Sequence, residues 1–173
     1  YYVQLSGINR PSWPWFRDSQ RALMNEIPHV GMAVSSDCGD SLDVHPVHKE
    51  PLGKRLAYWA LHQTYGYPDI IPSGPLFRKA DFQEDTVFIS FDHGQGLTSS
   101  DGDVLRTFEV AEIDGLYYSA KAEVQADGRL KIYSEKVKDP CNVRYGWQPY
   151  PRAHLVNGAG LPASTFLAQK DSL

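Results

Sequence analysis

One short segment, residues 37–50, concentrates the side chains that could do chemistry. Its sequence is DCGDSLDVHPVHKE. Three interpretations fit these residue types: a metal site, the acid–histidine arm of a hydrolase, or a solvated acidic turn. The segment has neither the HExxH pattern nor the spacing of a calcium loop, so the metal site has the least support of the three. Its carboxylates and imidazoles belong to Asp37, Asp40, Asp43, His45, His48 and Glu50.

His45 is the best placed residue for acid–base chemistry. It precedes Pro46, and a residue before proline is held extended, which fixes its imidazole outside the helix that follows. A general base needs such a fixed position, within about 3 Å of the proton that it removes. A carboxylate from Asp43 or Asp40 could orient the ring and stabilise its charged form, as in a Ser-His-Asp triad. We expect His48 to face solvent.

The elements around this segment predict where it lies in a fold. Residues 1–5 and 30–34 are short apolar runs typical of strands. Helical periodicity follows each of them, first over 12–27 and then from Pro51 to the glycine at position 66. This strand–helix–strand–helix order predicts a βαβ unit of a doubly wound sheet. In such sheets ligands bind at the carboxyl ends of the strands, which is where the segment begins.

The first predicted helix has one apolar face, formed by Phe16, Leu23 and Ile27. Trp13 and Trp15 flank a proline at its start, a position that could line a cleft. Arg17 is interpreted as a helix-surface ion pair or as a partner for a sugar carboxylate, and the ion pair is the simpler choice. Trp59 and Trp147 fall on apolar faces further along the chain, which predicts that they pack in the core.

The pattern changes after a stretch rich in proline and glycine, residues 68–75. Beyond it, apolar residues alternate with polar ones, most clearly over 116–124, and Asp-Gly pairs typical of hairpins separate the runs. No good helix is predicted there. The sequence therefore predicts an α/β domain over residues 1–72 and an antiparallel β-sandwich over residues 73–173.

Composition and motifs limit the function classes. The net charge of −4 argues against a nucleic-acid partner, and no run approaches the roughly 18 apolar residues of a membrane span. The sequence contains no GxSxG motif, so no serine stands out as a nucleophile. The chain starts without methionine inside a predicted strand. We therefore expect it to be a piece of a longer or nicked polypeptide.

Two long blocks resemble a known family. They are VQLSGINRPSWPWFRDSQR and GMAVSSDCGDSLDVHPVHKEPLGKRLAYWAL. An Arg-x-x-Gln pattern (residues 17–20), Asp-Val-His-Pro (residues 43–46) and Gly-Lys-Arg-Leu (residues 53–56) match motifs in the C-terminal part of the sialate O-acetylesterase family. The likeness continues in SGPLFR, VRYGW and GLPASTF, and it covers nearly the whole chain. The His-Pro block is its most specific part.

The resemblance implies the C-terminal βαβ portion of a doubly wound, SGNH/flavodoxin-like sheet, followed by the β-sandwich. It implies a serine esterase that removes O-acetyl groups from sugars, with 9-O-acetyl sialic acid as the first choice. His45 would be the general base and Asp43 its carboxylate. Many SGNH enzymes have the aspartate three residues before the histidine, where this sequence has Leu42. Asp43 fits the Asp-x-His-Pro pattern, and Asp40 is the alternative because a side chain two residues from His45 on an extended chain can point elsewhere. No metal or organic cofactor is implied, and the enzyme would be secreted or periplasmic.

The family's serine and oxyanion hole lie in its N-terminal part, which this sequence does not contain. The resemblance therefore implies that an N-terminal part of the same enzyme, as a separate or missing polypeptide, completes the site. Residues 1–173 alone are expected to be inactive. Three alternatives remain open: an acetylxylan-type esterase, a non-catalytic carbohydrate-binding module built on residues 73–173, and a metal-stabilised structural domain.

Overall fold

The first part of the chain forms a small parallel α/β unit in a computed structural model that describes residues 1–152 and 154–170. Strand β1 (Tyr2–Val3) pairs in parallel with β2 (Met32–Ala33), and helix α1 (Trp13–Glu26) connects them. Helix α2 (Glu50–Trp59) follows β2 and continues into a π-helix (Ala60–Thr64). The predicted order of strand, helix, strand and helix is therefore present, in a sheet of two short strands.

Helix α2 lies against the two strands through its apolar face. Leu52 and Trp59 are buried, and Trp59 packs with Met32 and Val34 of the second strand region. The indole Nε1 of Trp59 donates a hydrogen bond to the Met32 carbonyl at 3.0 Å. The predicted core position of Trp59 is confirmed, and it fixes the helix that follows the acidic segment onto the sheet.

Helix α1 has its apolar face toward solvent. Phe16, Leu23 and Ile27, the predicted apolar face, are 55%, 44% and 47% exposed. The face turned toward the rest of the chain carries Arg17 and Arg21, both buried. An apolar helix face gains stability in proportion to the area that is covered, and the described residues cover this row only about half. We refer to Phe16, Leu23 and Ile27 as the α1 stripe.

The second part of the chain is antiparallel β-structure. One four-stranded sheet has the order β12-β10-β6-β7 and another has the order β3-β4-β9-β8, while β5 and β11 form a separate pair. The strands are β3 (Leu76–Gln83), β4 (Thr86–Asp92), β5 (Thr98–Ser99), β6 (Phe108–Ala111), β7 (Tyr118–Ser119), β8 (Lys121–Val124), β9 (Leu130–Tyr133), β10 (Asn142–Tyr145), β11 (Leu155–Val156) and β12 (Phe166–Gln169). Both four-stranded sheets contribute side chains to one buried cluster, as expected for a sandwich.

The core of the sandwich follows the predicted alternation in most strands. Ile89 of β4, Ile132 of β9, Val143 of β10 and Phe166 of β12 are fully buried, and Trp147 is nearly so. Mostly β-structure with two helices thus agrees with an α/β part followed by a β-sandwich. Among the described residues no helix is long and apolar enough to cross a membrane.

The alternating run over residues 116–124, whose apolar residues were expected to share one face, does not form a single strand. The chain is interrupted at Ala120, so β7 pairs with β6 in one sheet and β8 pairs with β9 in the other. The Ala120 amide donates to the Phe108 carbonyl at 2.9 Å, which fixes the crossing point. The two ends of the run, Leu116 and Val124, are 59% and 46% exposed. Alternation continues across the crossing because each short strand has its own inward face.

Arg17 joins the two parts of the chain, and its predicted surface ion pair is wrong. Its guanidinium is fully buried and donates to backbone carbonyls of Gly146, Gln148 and Pro149 at 2.6–3.0 Å and to Oγ1 of Thr165 at 3.0 Å. These oxygens replace water around the charge. Burial lowers the pKa of the guanidinium to about 10. Since the group is used internally, it is not placed to bind a sugar carboxylate.

Candidate active site

Two loops meet at the carboxyl ends of the parallel strands, where a site was predicted. The loop after β1 and the loop after β2 touch through the Asn9 amide, which donates to the Ser41 carbonyl at 3.1 Å. Gly39 allows the contact, since a Cβ there would lie 2.7–2.8 Å from the backbone of Gly7. Tyr150 of the second part donates from its hydroxyl to the Gly39 carbonyl at 3.4 Å. The acidic segment is thus held at this edge by backbone contacts.

Asp43 and His45 form a local pair on this edge. One carboxylate oxygen of Asp43 accepts the His45 backbone amide at 2.8 Å and lies 3.0 Å from its ring nitrogen Nδ1. A single oxygen therefore holds both the backbone and the ring of the histidine. Two hydrogen bonds, from the backbone amide first and the imidazole second, hold the pKa of the Asp43 carboxyl below its usual value.

The pairing decides which ring nitrogen is available. An ionised Asp43 accepts hydrogen bonds, so Nδ1 of His45 carries the proton and Nε2 is left with its lone pair. The His45 side chain is 80% exposed and that of Asp43 is 62% exposed. The pair is therefore oriented but not enclosed by residues of this chain, and its flanking residues Leu42 and Val47 are also strongly exposed.

The other candidates of the segment lie elsewhere. Asp40 accepts a hydrogen bond from the Leu42 amide at 2.8 Å in a local turn. Among the described residues, it makes no hydrogen bond to the ring of His45. His48 is exposed, as predicted. Over the described ranges 1–152 and 154–170, no three His, Cys, Asp or Glu side chains are grouped closely enough to hold a metal ion.

Arg55 anchors the start of the segment. Its Nη1 and Nη2 donate to the two oxygens of Asp37 at 2.7 and 2.6 Å, and Nη1 also donates to the Val34 carbonyl at 2.7 Å. Burial opposes ionisation of Asp37, but the hydrogen bonds and charge of Arg55 outweigh it and lower the pKa of the carboxyl. The first aspartate of the segment is therefore structural, a positioning role that the sequence analysis missed.

The tryptophans at the start of α1 have two different environments. Trp13 is half-buried at the same edge as the Asp43–His45 pair, and its Nε1 donates to the Ser6 carbonyl at 2.8 Å. Trp15 is 57% exposed and packs edge-on against the buried Trp147, with ring centroids 5.2 Å apart. Of the two, Trp13 is attached to the loop after β1 and borders the candidate site.

No family model matches the chain, and no curated protein matches it. A solved structure does. The crystal structure of a carbohydrate acetylesterase from Xanthomonas citri matches with a TM-score of 0.90 and 32% sequence identity over 98% of this chain. The two share this fold. The match covers 40% of that protein's chain, so the present chain corresponds to less than half of the Xanthomonas citri enzyme.

Proposed function

We propose that this chain is the histidine-bearing part of a carbohydrate esterase that hydrolyses O-acetyl esters. The observation that carries the proposal is the Asp43–His45 pair at the carboxyl edge of the parallel strands. The likeness to a carbohydrate acetylesterase supports the reaction class. The arrangement of carboxylate, Nδ1 and a free Nε2 is the one that a histidine general base requires.

The mechanism is acyl transfer in two steps. Nε2 of His45 takes the proton of a serine hydroxyl as the serine oxygen attacks the acetyl carbonyl carbon. The C–O bond to the sugar then breaks, and His45 returns the proton to the leaving sugar oxygen. In the second step His45 takes a proton from water as the water oxygen attacks the acyl carbon. The bond from that carbon to the serine oxygen then breaks, acetate is released, and His45 returns the proton to the serine oxygen. Asp43 holds the ring and stabilises the imidazolium in both steps.

The serine and the oxyanion donors belong, in this proposal, to polypeptide outside these residues. The match to 40% of a longer esterase supports it. The α1 stripe supports it as well, because an N-terminal part of the same enzyme would cover this apolar row while completing the sheet. The same part would enclose the exposed Asp43–His45 pair.

The substrate of first choice is 9-O-acetyl sialic acid, and acetylated xylan is the alternative. The sialic acid assignment comes from the Asp-Val-His-Pro and Gly-Lys-Arg-Leu motifs, which belong to the base-bearing arm and contact no sugar by themselves. The same resemblance favours a secreted or periplasmic location. Acetate release from the two substrates, measured side by side, distinguishes the two esterase types.

The test compares three variants of the native polypeptide that contains these residues. His45→Asn is expected to reduce acetate release by at least about 10³-fold. Asp43→Asn is expected to reduce it by about 10⁴-fold if the pair acts as in known triads, because the ring loses the partner that fixes its tautomer. His48→Asn, an exposed histidine three residues away, is the matched control and should keep near-normal activity.

Two results would contradict the proposal. Retention of acetate release by His45→Asn would exclude this residue as the base. Turnover of acetylated sugar by the 173-residue chain alone would exclude an external serine. A fluorophosphonate probe provides an independent reading, since it should label a serine on an accompanying polypeptide or on the part that precedes these residues.

A further inference from the structure

A second cleft lies away from the Asp43–His45 pair. It has a volume of about 660 Å³ and runs between the end of the π-helix, the 68–72 stretch, the loop after β4 and the turn between β8 and β9. Its size falls in the usual range for ligand sites. We call it the His93 cleft, and the lining residues that matter below are His62, Phe91, His93, Gln95, Asp127 and Asn157.

The His93 cleft is separated from the candidate base by the length of a helix. His62 follows Glu50, the first residue of α2, by twelve positions, which corresponds to roughly 18 Å along the helix axis. The Asp43–His45 pair lies before the start of the same helix. A molecule in the cleft could therefore span to the base only if it were an extended polymer.

The wall of the cleft is rigid. The side-chain nitrogen Nδ2 of Asn157 donates to the backbone carbonyls of Ser73 and His93 at 3.0 and 2.9 Å. Its side-chain oxygen Oδ1 accepts hydrogen bonds from the backbone amides of Ala159 and Leu161 at 3.2 and 3.1 Å. The Gly158 amide donates to the Gln95 carbonyl at 2.8 Å. These bonds tie three separate segments together. The site is thus formed before any ligand arrives, which lowers the entropic cost of binding.

His93 is held in a costly conformation. Its backbone φ angle of 55° lies in the left-handed region, which residues other than glycine adopt rarely. The hydrogen bond from Asn157 to its carbonyl holds the backbone there. His93 is one of the residues that line the cleft, and its ring packs edge-on with Trp59 at a centroid distance of 5.9 Å. Burial lowers the pKa of the His93 imidazole, against an opposing effect of Asp92, and the nearby His62 lowers it further. A neutral ring offers one donor and one acceptor.

The remaining lining is a mixture suited to an uncharged polyol. Phe91, Ile71 and Val124 supply apolar surface, while Gln95 and Asp127 supply an amide and a carboxylate. Among the described residues, no lysine or arginine lines the cleft. Arg129 pairs with Asp127 at 2.7 Å without itself lining the cleft. An acidic ligand would thus meet acceptors where it needs donors.

We propose that the His93 cleft binds a neutral stretch of glycan, about two sugar rings long, and holds the chain that carries the acetyl ester. Sugar C–H faces lie on the apolar surface, and hydroxyls bond to the imidazole, amide and carboxylate groups. The identity of the ligand as a glycan rests on the proposed function. The preference for uncharged sugar rests on the lining of the cleft.

The test measures binding to the native polypeptide that contains residues 1–173, by amide and imidazole NMR shifts. The probes are three neutral tetrasaccharides (xylotetraose, mannotetraose and lacto-N-tetraose) and one acidic probe, α2,8-linked disialic acid. At least one neutral probe is expected to shift saturably the signals of Gly94, Gly96 and the His62 and His93 rings, all in or at the cleft. The disialic acid is expected to bind at least about tenfold more weakly.

Two histidines in left-handed conformations provide a matched pair of variants. His93→Asn is expected to weaken binding by about tenfold, because it removes ring contacts while asparagine tolerates the same backbone. His29→Asn changes an exposed histidine with a similar φ of 60° and should leave binding unchanged. Loss of affinity in both variants, or in neither, would overturn the proposal.

Two further results would also overturn it: no shift by any neutral probe at 10 mM (about the weakest binding that such a cleft could use), or equal binding of disialic acid. The esterase proposal fails separately. His45→Asn should bind glycan normally, since that residue lies at the other end of α2. If no glycan binds but acetate release depends on His45, only the cleft proposal is disproved. If glycan binds but acetate release does not depend on His45, only the esterase proposal is disproved.

Discussion

Arg55 and Asp37 form a two-pronged ion pair, with Nη1–Oδ1 and Nη2–Oδ2 distances of 2.7 and 2.6 Å. The pair joins helix α2 to the loop that follows β2, and Arg55 also donates to the Val34 carbonyl. It therefore fixes where the acidic segment leaves the sheet. The Asp43–His45 pair depends on this exit point for its position at the edge.

Replacing Arg55 should destabilise the protein measurably. Arg55→Met removes a buried guanidinium and leaves Asp37 and the Val34 carbonyl without their donor, so we expect a loss of about 2 kcal/mol in the free energy of unfolding. Asp37 is 39% exposed, which keeps the value toward the low end. Urea denaturation measures it. Lys54→Met, which breaks an exposed pair with Glu50, is the control and should cost less than about 0.5 kcal/mol.

The same pair should make stability depend on pH in the acidic range. The folded-state pKa of Asp37 is lowered, so its contribution is present above the unfolded pKa of about 3.9 and is lost as the pH falls through the lower folded value. The stability difference between wild type and Asp37→Asn should thus be constant from about pH 5 to 7 and shrink below about pH 4. A difference that stays constant down to pH 2 would contradict this assignment.

Arg17 should be the most sensitive position on α1. Its substitution by methionine leaves the Gln148 carbonyl without a donor and removes one of the two donors from the carbonyls of Gly146 and Pro149, at the junction of the two parts. We expect a loss of about 3 kcal/mol in unfolding free energy, and a smaller recovery with lysine, which cannot reproduce the planar fork. Arg78→Met changes an exposed arginine and serves as the control. Equal effects of the two methionine variants would show that the carbonyl contacts contribute little.

Two glycines in or next to the acidic segment should respond in opposite ways to alanine. Gly39→Ala places a Cβ within 2.7–2.8 Å of the Gly7 backbone, so the two loops must separate and the protein should lose about 1–3 kcal/mol. Gly53→Ala adds a methyl group on α2 with open space around it and should gain about 0.5–1 kcal/mol from helix propensity. Thermal unfolding of the two variants measures both signs. A stabilised Gly39→Ala protein would mean that the loop contact is not tight.

Sequence reasoning reached the local part of the candidate site. Asp43 and His45 are two residues apart, and Pro46 fixes the backbone beside them, so the spacing allowed their pairing to be proposed. Which aspartate pairs with His45 depends on side-chain direction in an irregular loop, and both Asp43 and Asp40 therefore remained candidates at that level.

Long-range contacts could not be predicted in this way. Arg17 bonds to carbonyls about 130 residues away, and such oxygens carry no side-chain signature in a sequence. The residues that line the His93 cleft come from five segments that a fold must first bring together. The crossing at Ala120 was missed because inward alternation is the same on both sides of it. Periodicity reports which residues point inward, but it does not report into which sheet.

The outward orientation of Phe16, Leu23 and Ile27 also affects how the purified chain behaves. An exposed hydrophobic row on a helix binds detergent, hydrophobic dyes or a second copy of the protein. The isolated 173-residue protein should therefore self-associate as its concentration rises, and it should increase the fluorescence of ANS. Three polar replacements in that row would yield a better-behaved sample for spectroscopy. They would also remove the hydrophobic patch by which a covering polypeptide could be captured.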